Sequence, residues 1–127
     1  MRPVLLDTHV WAWSLSGDPK LSTKAIAALG SASTVFVSPI SFYEVGQKVR
    51  LGKWPEMEPF LPRLCDLLRE QGGHLAELND RVCLLAATLD WAHRDPFDRF
   101  LLATARHLNL PLISADPVFD GWVERIW

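Results

Sequence analysis

The chain has only two cysteines in 127 residues, no low-complexity tract and no charged tail. Each lack removes a class of protein. A disulfide scaffold or a zinc site needs more cysteine at closer spacing; Cys65 and Cys83 fall on apolar positions of helical patterns, where a free thiol behaves as a small hydrophobe. No apolar run approaches the ~18 residues of a membrane span. The N-terminus enters Val4-Leu5-Leu6 without a charged region, a long apolar stretch or a cleavage site. The expectation is a soluble, cytoplasmic protein that does not associate with membranes. Phosphate-cradling glycine patterns and the G-x-S-x-G of serine hydrolases are missing. The histidines, His9, His74, His93 and His107, share no zinc-like spacing. Excess positive charge is also missing: a formal net charge of −2 argues against a protein that holds nucleic acid by charge alone.

What is present is an ordinary globular composition, 49% hydrophobic and 22% charged. It fits one domain over residues 1–127, long enough to bury about two thirds of its unfolded surface. Element types alternate. Val4-Leu5-Leu6 reads as a strand and His9 to Leu15 as the start of a helix; Ser22 to Leu29 reads as a helix with Ser22 as N-cap, and Thr34 to Val37 as a β-branched strand. Ile40 to Leu51 and Glu58 to Gln71 read as a helical hairpin. His74 to Leu78 is a third strand, and Asn79 caps a helix over Arg81 to Trp91. Pro96 to Leu108 is amphipathic, Leu110 to Ser114 is a fourth strand, and Val123 to Trp127 is a short terminal run. Strands separated by helices imply a mostly parallel sheet of four to five short strands, covered on both faces.

Four acids, Asp7, Glu44, Asp98 and Asp116, sit where strand-like runs give way to helix starts. The carboxyl ends of parallel strands share one sheet edge, so acids placed there can converge. Each also has a purely structural reading. Ser41-Phe42-Tyr43-Glu44 matches a capping box, and Asp95-Pro96-Phe97-Asp98 offers an N-cap, a proline at the first helical position and a carboxylate at the third. Asp116-Pro117 repeats the cap-then-proline pattern, and Asp7 could cap the first helix. Caps need only a small polar residue, whereas all four exits supply an acid. Gathered carboxylates repel unless protonated or bound to a cation. An all-oxygen site suits Mg²⁺ or Mn²⁺. Neutralising four of the 15 acids would leave fewer of them than the 13 Lys and Arg, so a nucleic-acid substrate is permitted. Lys48, Arg50 and Lys53 cluster where the charge complements a helix dipole. The six tryptophans read as core or rim, with Trp11 and Trp54 also candidates for a protein interface.

Leu5-Leu6-Asp7-Thr8-His9, Ser41-Phe42-Tyr43-Glu44 with Lys48 and Gly52-Lys53 behind it, His93-Arg94-Asp95-Pro96-Phe97-Asp98-Arg99 and Ile113-Ser114-Ala115-Asp116 resemble, in order and spacing, the PIN-domain ribonucleases. More narrowly they resemble the VapC toxins of bacterial and archaeal toxin–antitoxin pairs. The resemblance implies a PIN-like three-layer α/β fold with an acidic pocket at the carboxyl edge of its sheet, dependence on Mg²⁺ or Mn²⁺, and RNA as substrate. It also implies homodimerisation and a small cognate antitoxin that blocks the site. Asp7, Glu44, Asp98 and Asp116 occupy the acidic positions, Asp95 is a further acid in the same segment, and Thr8 and Ser114 match hydroxyl positions that arrange the site. Arg94 or Arg99 could grip a phosphate or form surface ion pairs. The exposed side of the 40–71 hairpin is the expected docking surface for a second copy or for the antitoxin.

Two other enzyme readings and one non-catalytic reading compete. A PIN-type nuclease of RNA processing would carry the same acids. A Mg²⁺-dependent phosphoryl-transfer enzyme also gathers strand-end acids, but the haloacid phosphatase pattern wants an acid where His9 stands, and receiver domains want a late lysine that is missing after Lys53. A binding module would have no need of the acids.

Overall fold

The computed structural model describes residues 2–127. Five parallel strands, β1 (Pro3–Leu6), β2 (Thr34–Val37), β3 (His74–Leu75), β4 (Leu112–Ile113) and β5 (Arg125–Ile126), form one sheet in the order β3-β2-β1-β4-β5. Six helices flank it: α1 (Thr8–Ser16), α2 (Thr23–Ser31), α3 (Pro39–Arg50), α4 (Leu64–Glu70), α5 (Asp80–Thr88) and α6 (Pro96–Leu108). None of the described helices is long and apolar enough to cross a membrane.

Alternation along the strands builds the layers. Val4 and Leu6 face one core with Val10, Trp11, Val37, Val45, Leu64 and Leu68, while Leu5 between them faces the other with Leu101, Leu102, Leu112 and Phe119. Both faces of the sheet are therefore covered around β1 and β4, as a parallel sheet requires, while the edge strand β3 stays exposed. The chain steps from β1 outward through β2 to β3, then crosses back to place β4 on the other side of β1. The sheet reverses direction between β1 and β4, and the crevice beyond the carboxyl ends of strands at such a point is where open α/β sheets hold their ligands.

Several expected elements differ in extent. The helix expected over Glu58 to Gln71 is divided: Pro55–Arg63 is a 3₁₀ stretch, and only Leu64–Glu70 is α-helical. Pro59 and Pro62 supply no amide hydrogen for an i→i−4 ladder, so the tighter winding runs until they are passed. The helix expected to reach Trp91 stops at Thr88, with Leu89 already extended at ψ 129°. The third strand is trimmed to His74–Leu75 and the fourth to Leu112–Ile113. Ser22 and Asn79 cap as expected, accepting from Ala25 N and Val82 N at 3.0 Å each. Both cysteines are exposed, contrary to their apolar-face assignment. Helix α4 buries Leu64 and Leu68, and α5 buries Val82 and Ala86, so the residue following the first of each pair is turned outward. Trp11 is core, 1% exposed, and its indole donates to Gln71 Oε1 at 3.0 Å; it is not an interface residue.

Candidate active site

Strand register sets the first pair of groups. Leu6 is opposite Ile113, so Asp7 and Ser114 leave β1 and β4 side by side, and Asp7 N donates to Ile113 O at 3.0 Å. Ser114 Oγ donates to Asp7 Oδ2 at 2.6 Å and accepts from Asp116 N at 3.0 Å, tying two acids to one hydroxyl. Asp7 occupies the cap position of α1, yet its side chain makes no capping hydrogen bond there, the His9 amide acting on it only weakly. It is buried, 8% exposed, for a different reason than capping.

Glu44 arrives from α3. That helix begins at Pro39, with Ser38 Oγ accepting from Ile40 N at 3.1 Å, so Ser38 is the cap and the capping box read at Ser41 and Glu44 does not form. Ser41 instead shares a 2.7 Å hydroxyl bond with Thr8, joining α1 to α3 beneath the site. Glu44 stands in the second turn, 5% exposed, and accepts from Lys48 Nζ at 2.5 Å. The strand-exit expectation thus fails for Glu44. It fails for Asp98 too, because α6 follows α5 and a loop. Asp98 nevertheless reaches the same place from the third position of α6 and bonds His93 Nε2 at 2.6 Å. Asp95 and Asp116 do serve as caps: Asp95 accepts from Phe97 N and Asp98 N at 2.8 and 3.3 Å, and Asp116 from Val118 N at 3.0 Å.

All of these acids line one cavity of about 350 Å³, together with His9, Trp13 and Lys48. Its electrostatics follow from crowding in a dry place. Burial pushes the Asp7 carboxyl above its ordinary value, aided by the Glu44 charge and opposed by the Ser114 bond and His9. Burial also pushes Asp98 up to about 6, with Asp95 and Asp7 adding to the rise and the His93 bond opposing it. Both shifts signal carboxylates short of positive charge. The donor chemistry therefore fits a hard divalent cation: carboxylate oxygens predominate, Lys48 is the basic side chain lining the cavity, and two of the acids bear a raised pKa. His93, Asp95 and Asp98 also bring one ligand atom each within 4.8 Å of one another, so a histidine that zinc-spacing logic sets aside stands at this rim. Its position within the His93-to-Arg99 segment is the sequence signal that could have found it.

Arg99 has neither expected role. Its guanidinium donates to the carbonyl oxygens of Ala86, Leu89, Trp91 and His93 at 2.6 to 2.9 Å, gathering the end of α5 and the loop that carries His93. Arg94 is exposed and lines a different cavity, beside Pro96 and Cys83.

Among solved structures, the chain is similar to FitAcB of Neisseria gonorrhoeae, with TM-score 0.67 and 23% identity over 98% of this chain and 96% of that one. It is similar to VapBC2 of Rickettsia felis bound to a promoter DNA fragment, with TM-score 0.67 and 13% identity over 98% and 97%. It is also similar to VapBC-1 of nontypeable Haemophilus influenzae, with TM-score 0.63 and 20% identity over 98% and 96%. These likenesses concern the fold. No curated protein sequence matches the chain. The family model of the PIN domain matches residues 4–121, from β1 through β4 and over every acid of the cavity, and the chain belongs to that nuclease family.

Proposed function

We propose that this chain is a Mg²⁺- or Mn²⁺-dependent endoribonuclease toxin, restrained by a small cognate antitoxin and working as a homodimer. The observation that carries the reading is the convergence of Asp7, Glu44, Asp98 and Asp116 from four distant segments on one cavity. These four residues would hold the metal, with Asp95 and His93 at the rim. A divalent cation bound there supplies Lewis-acid charge to a phosphate and lowers the pKa of water, which is the chemistry phosphodiester hydrolysis needs. The protein's own part is positioning. Ser114 orients Asp7 by donating to one of its oxygens; the Thr8–Ser41 bond holds α1 against α3, so Glu44 and Asp7 keep their separation. Lys48 neutralises Glu44 within the cavity and offers a positive charge to a phosphate that enters it. Attack by water rather than by the ribose hydroxyl would leave a 5′-phosphate and a 3′-hydroxyl.

Restraint by an antitoxin is supported by the likeness of the fold to a toxin–antitoxin complex from Klebsiella pneumoniae, with TM-score 0.61 and 19% identity over 93% of this chain and 91% of that one, and by the surface beside the cavity. Tyr43 is 60% exposed and Leu51 50% exposed on or next to the helix that carries Glu44. A partner covering α3 would stand over the cavity mouth, and the Lys48–Glu44 pair is precedent for a basic side chain on these acids. The test is cleavage of RNA by the purified chain with Mg²⁺, Mn²⁺ or chelator, beside Asp98→Asn. Metal-dependent cutting by the native chain alone is expected. Equal cutting by the variant, or none by the native chain with either metal, overturns the reading. For the partner, a small protein encoded next to this chain should protect residues 40–71 from hydrogen exchange and silence cleavage.

A further inference from the structure

An aromatic row leads out of the acidic cavity. His9 and Trp13, one turn apart on α1, both line the cavity beside the acids. The His9 ring stacks on Trp54 with centroids 4.6 Å apart and planes 28° apart, and it stands tilted toward Trp13 at 5.9 Å; Trp13 in turn meets Trp127 at 5.9 Å. Two cations stand beside the row: Lys48 Nζ lies 5.6 Å from the Trp54 centroid and Lys20 Nζ 5.8 Å from that of Trp13. Trp54 and Trp127 are explained by packing, since both lean on the larger core. Trp13 is not. It belongs to none of the hydrophobic clusters among the described residues and is half-buried, with the rings of His9 and Trp127 tilted toward it and Lys20 beside it. A large aromatic ring is thus kept half-exposed at the wall of a charged cavity, beside the ammonium of Lys20, which is 68% exposed and only loosely paired with Asp18 at 3.9 Å.

We propose that Trp13, with His9, is a stacking ledge for an unpaired nucleobase of the RNA strand whose phosphate enters the acidic cavity, with Lys20 meeting a phosphate further along. Every base offers a π-face, so such a ledge selects single strands over duplex while tolerating sequence. A base inside a duplex has both faces occupied by its neighbours, and only the end pairs have one to offer. This inference rests on the nuclease reading, and the experiment separates the two.

The test is fluorescence anisotropy of the full chain with a labelled single-stranded RNA of about ten nucleotides, sized to an ordinary single-strand site, and with the matching blunt duplex, both in chelator so that the strands stay intact. The native chain is expected to prefer the single strand. Trp13→Ala should weaken single-strand binding about tenfold or more while leaving duplex binding and the dependence on salt unchanged, because stacking releases no counterions. Trp13→Phe should recover most of the loss, which a merely structural defect would not. Lys20→Ala should reduce the salt dependence by roughly 0.7 in the log–log slope, the share of one phosphate contact on a single strand. Melting temperatures confirm that the variants are folded. Unchanged single-strand affinity in both Trp13 variants, or a native chain indifferent to strandedness, overturns the ledge. If the native chain still cleaves RNA with metal in that case, only the ledge falls; if it does not cleave, the nuclease reading falls by its own test.

Discussion

Asp7 and Asp95 each stand at a helix cap position, and they spend their carboxylates differently. Asp95 is exposed and binds two amides of α6, so it is explained by local backbone chemistry. Asp7 is buried, makes no capping hydrogen bond at the start of α1 and accepts from Ser114, more than a hundred residues away. The same contrast divides the whole cavity. Asp95 and Asp116 are acids with a backbone role, whereas Asp7, Glu44 and Asp98 have none and bear the burial or the ion pairing. An acid that a fold keeps dry without a local use is held for a ligand, and the raised carboxyls of Asp7 and Asp98 mark the electrostatic cost of keeping it there.

The sharpest way to break this contrast is activity. Asp7→Asn and Asp98→Asn should reduce metal-dependent RNA cleavage to background while the fold persists, because shape is retained and charge is lost. Asp95→Asn should keep substantial activity, because Asn caps as well as Asp. Comparable losses in all three variants, measured as initial cleavage rates, would erase the distinction.

A smaller effect should appear in stability. Metal at about a hundred times its dissociation constant should stabilise the native chain by about 2.7 kcal/mol, read by calorimetry, and the increment should shrink in Asp7→Asn but survive in Asp95→Asn. Ser114→Ala should weaken metal affinity by roughly 10 to 100-fold, because Asp7 then loses the hydroxyl that orients it. Affinity measured by titration calorimetry and left unchanged would remove Ser114 from the site.

Below these comes pH. In metal-free protein the folded-state pKa of Asp98 is raised to about 6 and that of Asp7 is raised as well. The folded chain therefore holds protons that the unfolded chain has released, and this contribution to stability is full below the ordinary Asp value near 4. It is lost as pH rises through about 6. Melting temperature in chelator should accordingly fall between about pH 4.5 and 7, and Asp98→Asn should flatten the fall. The smallest effect belongs to the cap acid: Asp95→Ala should cost about 1 kcal/mol in denaturant unfolding, with Asp95→Asn close to native. A flat pH profile, or an indifferent Asp95→Ala, would put the two kinds of acid on the same footing.

Much of this was readable along the chain. Thr34–Val37 is a strand in its full expected extent, Pro96–Leu108 is a helix with Asp95 as its cap, and Ser22 and Asn79 cap where expected, because each depends on residues within a few positions of itself. The 58–71 segment was misjudged where a regular apolar spacing concealed two prolines, and the cysteines were misjudged because one outward turn of about 100° separates a core position from a surface one. Arg99 illustrates a different limit. Its four carbonyl partners lie 6 to 13 residues away, and nothing in its neighbours announces that it would close the end of α5 rather than bind a phosphate.

By itself the sequence determined the alternation of strand and helix, the three-layer class and the set of acids, because period, cap chemistry and residue type are local properties. Only the tertiary structure decided which acids lost their local use. The register of β1 on β4 set Ser114 against Asp7, the start of α3 at Pro39 freed Glu44 from a capping box, and the loop gathered by Arg99 brought His93 onto Asp98. Burial and proximity between distant segments arise only when the sheet closes, and the desolvation that raises the pKa of a carboxylate arises with them.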